Sequence, residues 1–111
     1  MEELTFEVQG SALEPYQVVF ARREQNNLFA SCTCQAGIMG QYCKHRFAIL
    51  EGVKTGIVSP NADDVGIVQT WLPGSDVEMA LFKVRDLEKE AARIKNELSA
   101  AKKAVAKAMR D

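Results

Sequence analysis

All three cysteines and the only histidine of this 111-residue chain lie between positions 32 and 45. They read Cys32-Thr-Cys34, eight intervening residues, then Cys43-Lys-His45. Three thiols cannot pair off into disulfides, and an intracellular compartment keeps them reduced in any case. Three thiolates and one imidazole form a complete tetrahedral set for structural zinc. The spacing therefore predicts one Zn2+ per chain, held by Cys32, Cys34, Cys43 and His45. Gly37 and Gly40 let the intervening stretch turn back so that the two ligand pairs meet. The second pair falls where a helix should begin. The free N–H groups of a helix start favour the net negative charge of a Cys3His zinc complex. Zinc also suits the size, because a head of about 74 residues buries only a modest core and domains this small often need a staple.

Two other readings compete. Cysteine is among the most buried residue types, so a cluster of core thiols with a hydrogen-bonded histidine is one. Redox work by Cys-x-Cys, or a Cys–His nucleophile and base, is the other. Clustering of every cysteine with the sole histidine weighs against the first. Four protein ligands leave zinc no open position for water or substrate, which weighs against catalysis. The chain shows neither a Gly-rich phosphate loop nor an obvious acid/base carboxylate pair. The expectation is that it is not an enzyme.

Hydrophobic periodicity places this cluster in an α+β head. Leu4, Phe6 and Val8 alternate with polar residues, the period of a half-buried strand. Tyr16–Arg22 is rich in aromatic and β-branched residues and reads as a second strand. Glu24-Gln25-Asn26-Asn27 has hairpin-turn chemistry, and Leu28–Ser31 returns as a third strand. From Cys43 the period changes: Phe47, Leu50 and Val53 form a helical stripe that should end near Gly56. Ser59 as N-cap and Pro60 at the first helical position suggest a further short helix, with Val65, Val68 and Leu72 buried and Pro73 as its stop. The expected fold is a zinc-stapled, three-stranded antiparallel sheet plus helix, followed by a long C-terminal coiled-coil helix. The expected divisions are 1–56 for the finger, 57–74 for a connector and 75–111 for the helix.

Cys-x-Cys followed by Cys-x-His, with strands before it and a helix starting at the second pair, resembles the SWIM zinc finger. The resemblance runs from about Leu4 to Val53. It is carried by Phe6-Glu-Val-Gln-Gly-Ser, Tyr16-Gln-Val-Val-Phe, Ala30-Ser-Cys-Thr-Cys and Gly40-Gln-Tyr-Cys-Lys-His. The four ligands of that family map onto Cys32, Cys34, Cys43 and His45. The resemblance implies zinc binding and a role in DNA-binding or protein–protein interaction. SWIM fingers accompany helicase-like ATPases, Mutator-type transposases and some signalling proteins. This sequence lacks those large catalytic neighbours.

The tail differs in kind. Seven of the eight aromatic residues precede position 75, whereas Ala, Lys, Glu, Leu and Arg make up 24 of the 36 residues from 76 to 111. That composition marks a long helix or coiled coil. Ser75-Asp-Val-Glu78 is a capping box that can start it. From there Val77, Ala80, Val84, Leu87, Ala91, Ile94, Leu98, Ala101, Val105 and Ala108 follow alternating spacings of three and four, as heptad a and d positions do. A parallel pair sets Lys83 against Glu88, Glu90 against Lys95 and Glu97 against Lys102 of the other chain, all attractive. An antiparallel pair centred on Glu90 or Lys95 sets like charges together. Met79, Leu81 and Phe82 lie off this seam and are expected to dock the first turns onto a head. A helix of 35 residues extends about 52 Å, too long for so small a head to cover. The expectation is a parallel homodimer; the competing reading packs the stripe on the head of its own chain.

Charge narrows the partner less. The net charge of -1 gives no bulk affinity for nucleic acid or membranes. The longest apolar runs, such as Val18–Ala21 and Phe47–Leu50, are far short of a membrane span. Met1-Glu2-Glu3 lacks the basic-then-apolar opening of a secretory signal, and the expected location is the cytoplasm. Within residues 1–75, five basic groups face eight acidic ones, a net of -3. Zinc held by three thiolates adds a further -1. Lys44 and Arg46 flank the ligands and, with Arg22 and Arg23, are the candidate partner contacts. Three functions survive, in order: a zinc-stapled interaction adaptor whose tail joins chains, a small DNA-binding accessory protein, and a thiol-based redox or metal-responsive protein.

Overall fold

In a computed structural model, which describes residues 2–111, the order of elements is three strands followed by four α-helices. The strands are β1 (Glu2–Val8), β2 (Tyr16–Arg22) and β3 (Leu28–Cys32). The helices are α1 (Gln35–Ile38), α2 (Lys44–Leu50), α3 (Val65–Trp71), entered through a 3-10 turn at Ala62–Asp64, and α4 (Asp76–Arg110). The fold is α+β, with one antiparallel sheet in the order β1-β2-β3.

The alternation read from the sequence sets the sheet's inner face. Phe6 pairs with Val18, which pairs with Cys32; Leu4 pairs with Phe20, which pairs with Ala30. Phe6, Val18 and Phe20 are fully buried, and the rings of Phe6 and Phe20 meet edge to face at 6.5 Å. Ile49 and Leu50 from α2, with Val65, Val68 and Trp71 from α3, complete the core. The hairpin turn holds Gln25 and Asn26 at φ 59 and 60, the left-handed region that Asn tolerates better than most residues.

Two boundaries differ from the sequence reading. Helix α2 stops at Leu50, not near Gly56, because Gly52 takes φ +85 and closes a Schellman cap: Val53 N donates to Ala48 O at 2.9 Å, and Gly52 N to Ile49 O at 3.0 Å. Val53 therefore lies outside the helix and is exposed, while Ile49 takes its place on the buried face. Ser59 does not cap a helix. Its hydroxyl accepts from Glu7 N at 3.0 Å, and the same segment pairs with β1 through Val58 N to Glu7 O and Gln9 N to Gly56 O, both 2.8 Å. The segment covers the open edge of the sheet. Helix α3 then starts at Val65, with Val65, Val68 and Trp71 buried and Leu72 only half-buried.

The chain divides into two compact units, residues 1–78 and 79–111. In the second unit every residue from Phe82 to Asp111 is exposed, the seam residues Val84, Leu87, Ala91, Ile94, Leu98, Ala101 and Val105 among them. Among the described residues no helix is long and apolar enough to cross a membrane.

Candidate metal centre

The two ligand pairs arrive from different elements. Cys32 closes β3, and the ladder continues one step past it: Thr33 N donates to Gln17 O at 3.1 Å, and Gln17 N to Thr33 Oγ1 at 2.9 Å. This fixes Thr33 outward and leaves Cys34 as the N-cap of α1, where its sulfur accepts from Gly37 N at 3.3 Å. Cys34 N in turn donates to Cys32 Sγ at 3.5 Å. Helix α1 is a single turn that ends in a second Schellman cap, with Gly40 at φ +71 and Gln41 N donating to Ala36 O at 2.9 Å. That reversal returns the chain to Cys43, the residue before α2, and His45 sits in the first turn of α2.

The four donor atoms converge. Cys34 Sγ and Cys43 Sγ are 3.4 Å apart, and His45 Nδ1 is 3.7 Å from both Cys32 Sγ and Cys43 Sγ. All four lie within 4.8 Å of one another, with the cysteines buried and His45 half-buried. A tetrahedral zinc with ordinary Zn–S bonds holds its sulfurs about 3.8 Å apart, so the donor set matches one structural zinc ion in chemistry and in spacing. Burial pushes the Cys32 thiol up to about 12. Burial also opposes ionisation of Cys43, but the Arg46 backbone N–H and hydrogen bonds to Cys34, His45 and Cys32 bring it down to about 6. Of these two thiols, Cys43 is therefore the one whose thiolate the metal-free cluster favours.

Several supports were not visible in the motif. The Tyr16 ring packs against the His45 imidazole with centroids 5.0 Å apart. A side chain at Gly10 would stand 2.5 Å from Tyr16 Cε2 and 3.3 Å from His45 Nε2. Strand register would have found Tyr16, which lies two residues before Val18, the pairing partner of Cys32, on the same face.

The candidate partner residues do not gather. Lys44 is exposed beside the cluster. Arg46 is turned inward: its Nη2 donates to Gln41 O at 2.6 Å and its Nη1 to Ala30 O at 3.4 Å, while its buried Nε has no partner. Arg22 pairs with Leu28 at the other end of β3 from Cys32, a strand separation of about 13 Å. Arg23 next to it lies over the Phe29 ring at 4.1 Å. The hairpin arginines and Lys44 are separate features.

Residues 14–51, about a third of the chain, match the SWIM zinc finger family. The match begins after β1 and takes in all four donors. No curated protein and no solved structure matches the chain.

Proposed function

With a SWIM zinc finger at residues 14–51 as the starting point, we propose that the protein is a non-enzymatic, dimeric adaptor that presents two fingers to a macromolecular partner. In this reading Cys32, Cys34, Cys43 and His45 hold one structural zinc, whose role is to clamp β3 and α1 against α2. The observation that carries the adaptor reading is the joining of that finger, in one chain, to a helix whose apolar seam beyond Val77 lies open. Val84, Leu87, Ile94, Leu98 and Val105 are each 43–55% exposed along one face. A bare helix gains little stability from its own hydrogen bonds and needs an apolar partner surface. A second copy supplies one in register, with attractive charges on both sides of the seam. Four alanines among the ten seam positions bury little area, so the dimer is expected to be modest in affinity.

The experiment is light scattering on the zinc-loaded chain, with Leu98→Asp as the comparison. A dimer that Leu98→Asp dissociates without loss of zinc supports the reading; a concentration-independent monomer at high micromolar protein refutes it. Elemental analysis of the chain and of Cys43→Ser tests the metal assignment separately. The competing DNA reading draws on Lys44. Its weakness is the excess of carboxylates in the head and the use of Arg46 by the fold, and its signature is strong salt dependence of binding.

A further inference from the structure

Lys44 opens α2, is exposed, and makes no salt bridge among the described residues. It stands between two hollows whose walls both include it and His45. The first, about 310 Å3, is lined on its apolar side by Val8, Ala48, Ile49, Val53 and Ile57. The second, about 390 Å3, is walled by Ala36 and Tyr42 and by three of the four metal donors, Cys34, Cys43 and His45. No carboxylate lines either hollow. The chain in fact carries no Asp or Glu from Gln25 to Leu50, although the rest of the head is rich in them. Ile38, Met39 and Tyr42, the last a wall of the second hollow, are 72%, 64% and 69% exposed. Tyr42 is not loose: one face of its ring is stacked on Phe47 at 4.3 Å, which holds the other face outward.

An unpaired ammonium group, set between two depressions that no carboxylate lines, specifies its complement. We propose that this face docks a protein segment that carries a carboxylate between two bulky apolar side chains. Lys44 takes the carboxylate, and the hollows take the apolar groups. The charge fixes register and the apolar groups supply most of the buried area. A nucleic-acid backbone is the poorer complement, because it needs a row of cations and leaves the apolar depressions unfilled. This assignment rests on the reading of the chain as an interaction module and names the surface that the module uses.

The test is a fluorescence-anisotropy titration of the zinc-loaded full chain. The probes are labelled heptapeptides that differ only at the centre (Glu, Gln or Lys, flanked by Leu and Phe) and a labelled oligothymidylate. The Glu peptide is expected to bind about tenfold more tightly than the Gln peptide. Lys44→Glu should abolish that preference, and Val53→Asp, at the rim of the first hollow, should weaken both peptides, with zinc content unchanged. Lys44→Gln makes the same comparison if charge reversal disturbs the metal. Equal affinity for the Glu and Gln peptides, no binding of any peptide, or Lys44-dependent binding of the oligothymidylate alone overturns the proposal. Repeating the titration on Leu98→Asp separates the two readings. If the dimer is absent but the peptide preference persists, only the adaptor reading fails; if the dimer is present and the preference is absent, only this surface fails.

Discussion

At Gly37 the finger has room for a hydrogen atom and nothing larger. A Cβ there would stand 2.8 Å from Cys32 Cβ and collide with the Cys32 carbonyl oxygen. Gly37→Ala should therefore push the two halves of the Cys-x-Cys turn apart, costing about 1–3 kcal/mol and weakening zinc in a chelator competition. Gly40→Ala is the control. Nothing lies within 4 Å of its Cβ position, so only the φ of +71 is strained, at about 1 kcal/mol. The thiols make the second prediction at this scale. Cys43 is lowered from 9.0 to about 6, so in the metal-free head it contributes stability above pH 9 that is lost as pH falls through about 6. Cys32 is raised from 9.0 to about 12, so its neutral form contributes below pH 9 and that contribution is lost as pH rises through about 12. Zinc must displace a proton from Cys32 but finds Cys43 already bare. Its affinity should rise with pH across the neutral range and fall steeply below about pH 6. A flat profile in chelator competition would contradict this. The donors themselves were legible because ligand chemistry is written in residue type and spacing. The inward turn of Arg46 was not, since the carbonyls it meets belong to Ala30 and Gln41 and carry no mark in the sequence.

Among the elements, strands were the most legible and helix ends the least. Leu4, Phe6 and Val8 alternate cleanly, and β2 runs over the same residues in sequence and structure. Helix α2 was read too long because Val53 continues the apolar stripe, although Gly52 supplies the left-handed residue that ends it. Helix α3 was placed too early because Ser59 has capping chemistry, and only the covered edge of β1 shows where that hydroxyl goes. The start of α4 is a mixed case. Ser75 Oγ accepts from Glu78 N at 3.1 Å as a capping box requires, but the Glu78 carboxylate reaches Gly74 N at 3.0 Å, one residue earlier than the motif implies. The unforeseen residue is Asp76. Its carboxylate accepts from Asn27 Nδ2, Leu28 N and Val77 N, each at 2.9 Å, and its own N–H donates to Asn26 O at 3.0 Å. The first residue of α4 is thus fastened to the β2–β3 turn, 48 or 49 positions away. Asp76→Ala should cost the head about 1 kcal/mol in chemical denaturation and leave zinc in place, with Asp76→Asn recovering part of the loss. Unchanged stability in the alanine variant would show that the clip is idle.

For the molecule as a whole, helix pairing and its direction can be tested by charge exchange. In the proposed parallel pair Glu90 faces Lys95 of the second chain. Lys95→Glu should weaken self-association, and adding Glu90→Lys should restore it, as read by sedimentation equilibrium. Within one chain Glu90 is held only loosely, 3.7 Å from Arg93, and Arg93 prefers Glu97 at 2.9 Å. These pairs are exposed, so their loss costs about 0–1 kcal/mol and does not mask the exchange. Failure of the double variant to recover would rule out the parallel register. The division into residues 1–78 and 79–111 has a consequence of its own. A unit built around a metal and, in the proposed dimer, a unit paired with a second chain answer to different chemical potentials. Chelation acts on the first through free zinc, and dilution acts on the second through protein concentration. Thermal melts followed at Trp71 should then shift with zinc activity at fixed protein, whereas the helical signal at 222 nm should shift with protein at fixed zinc.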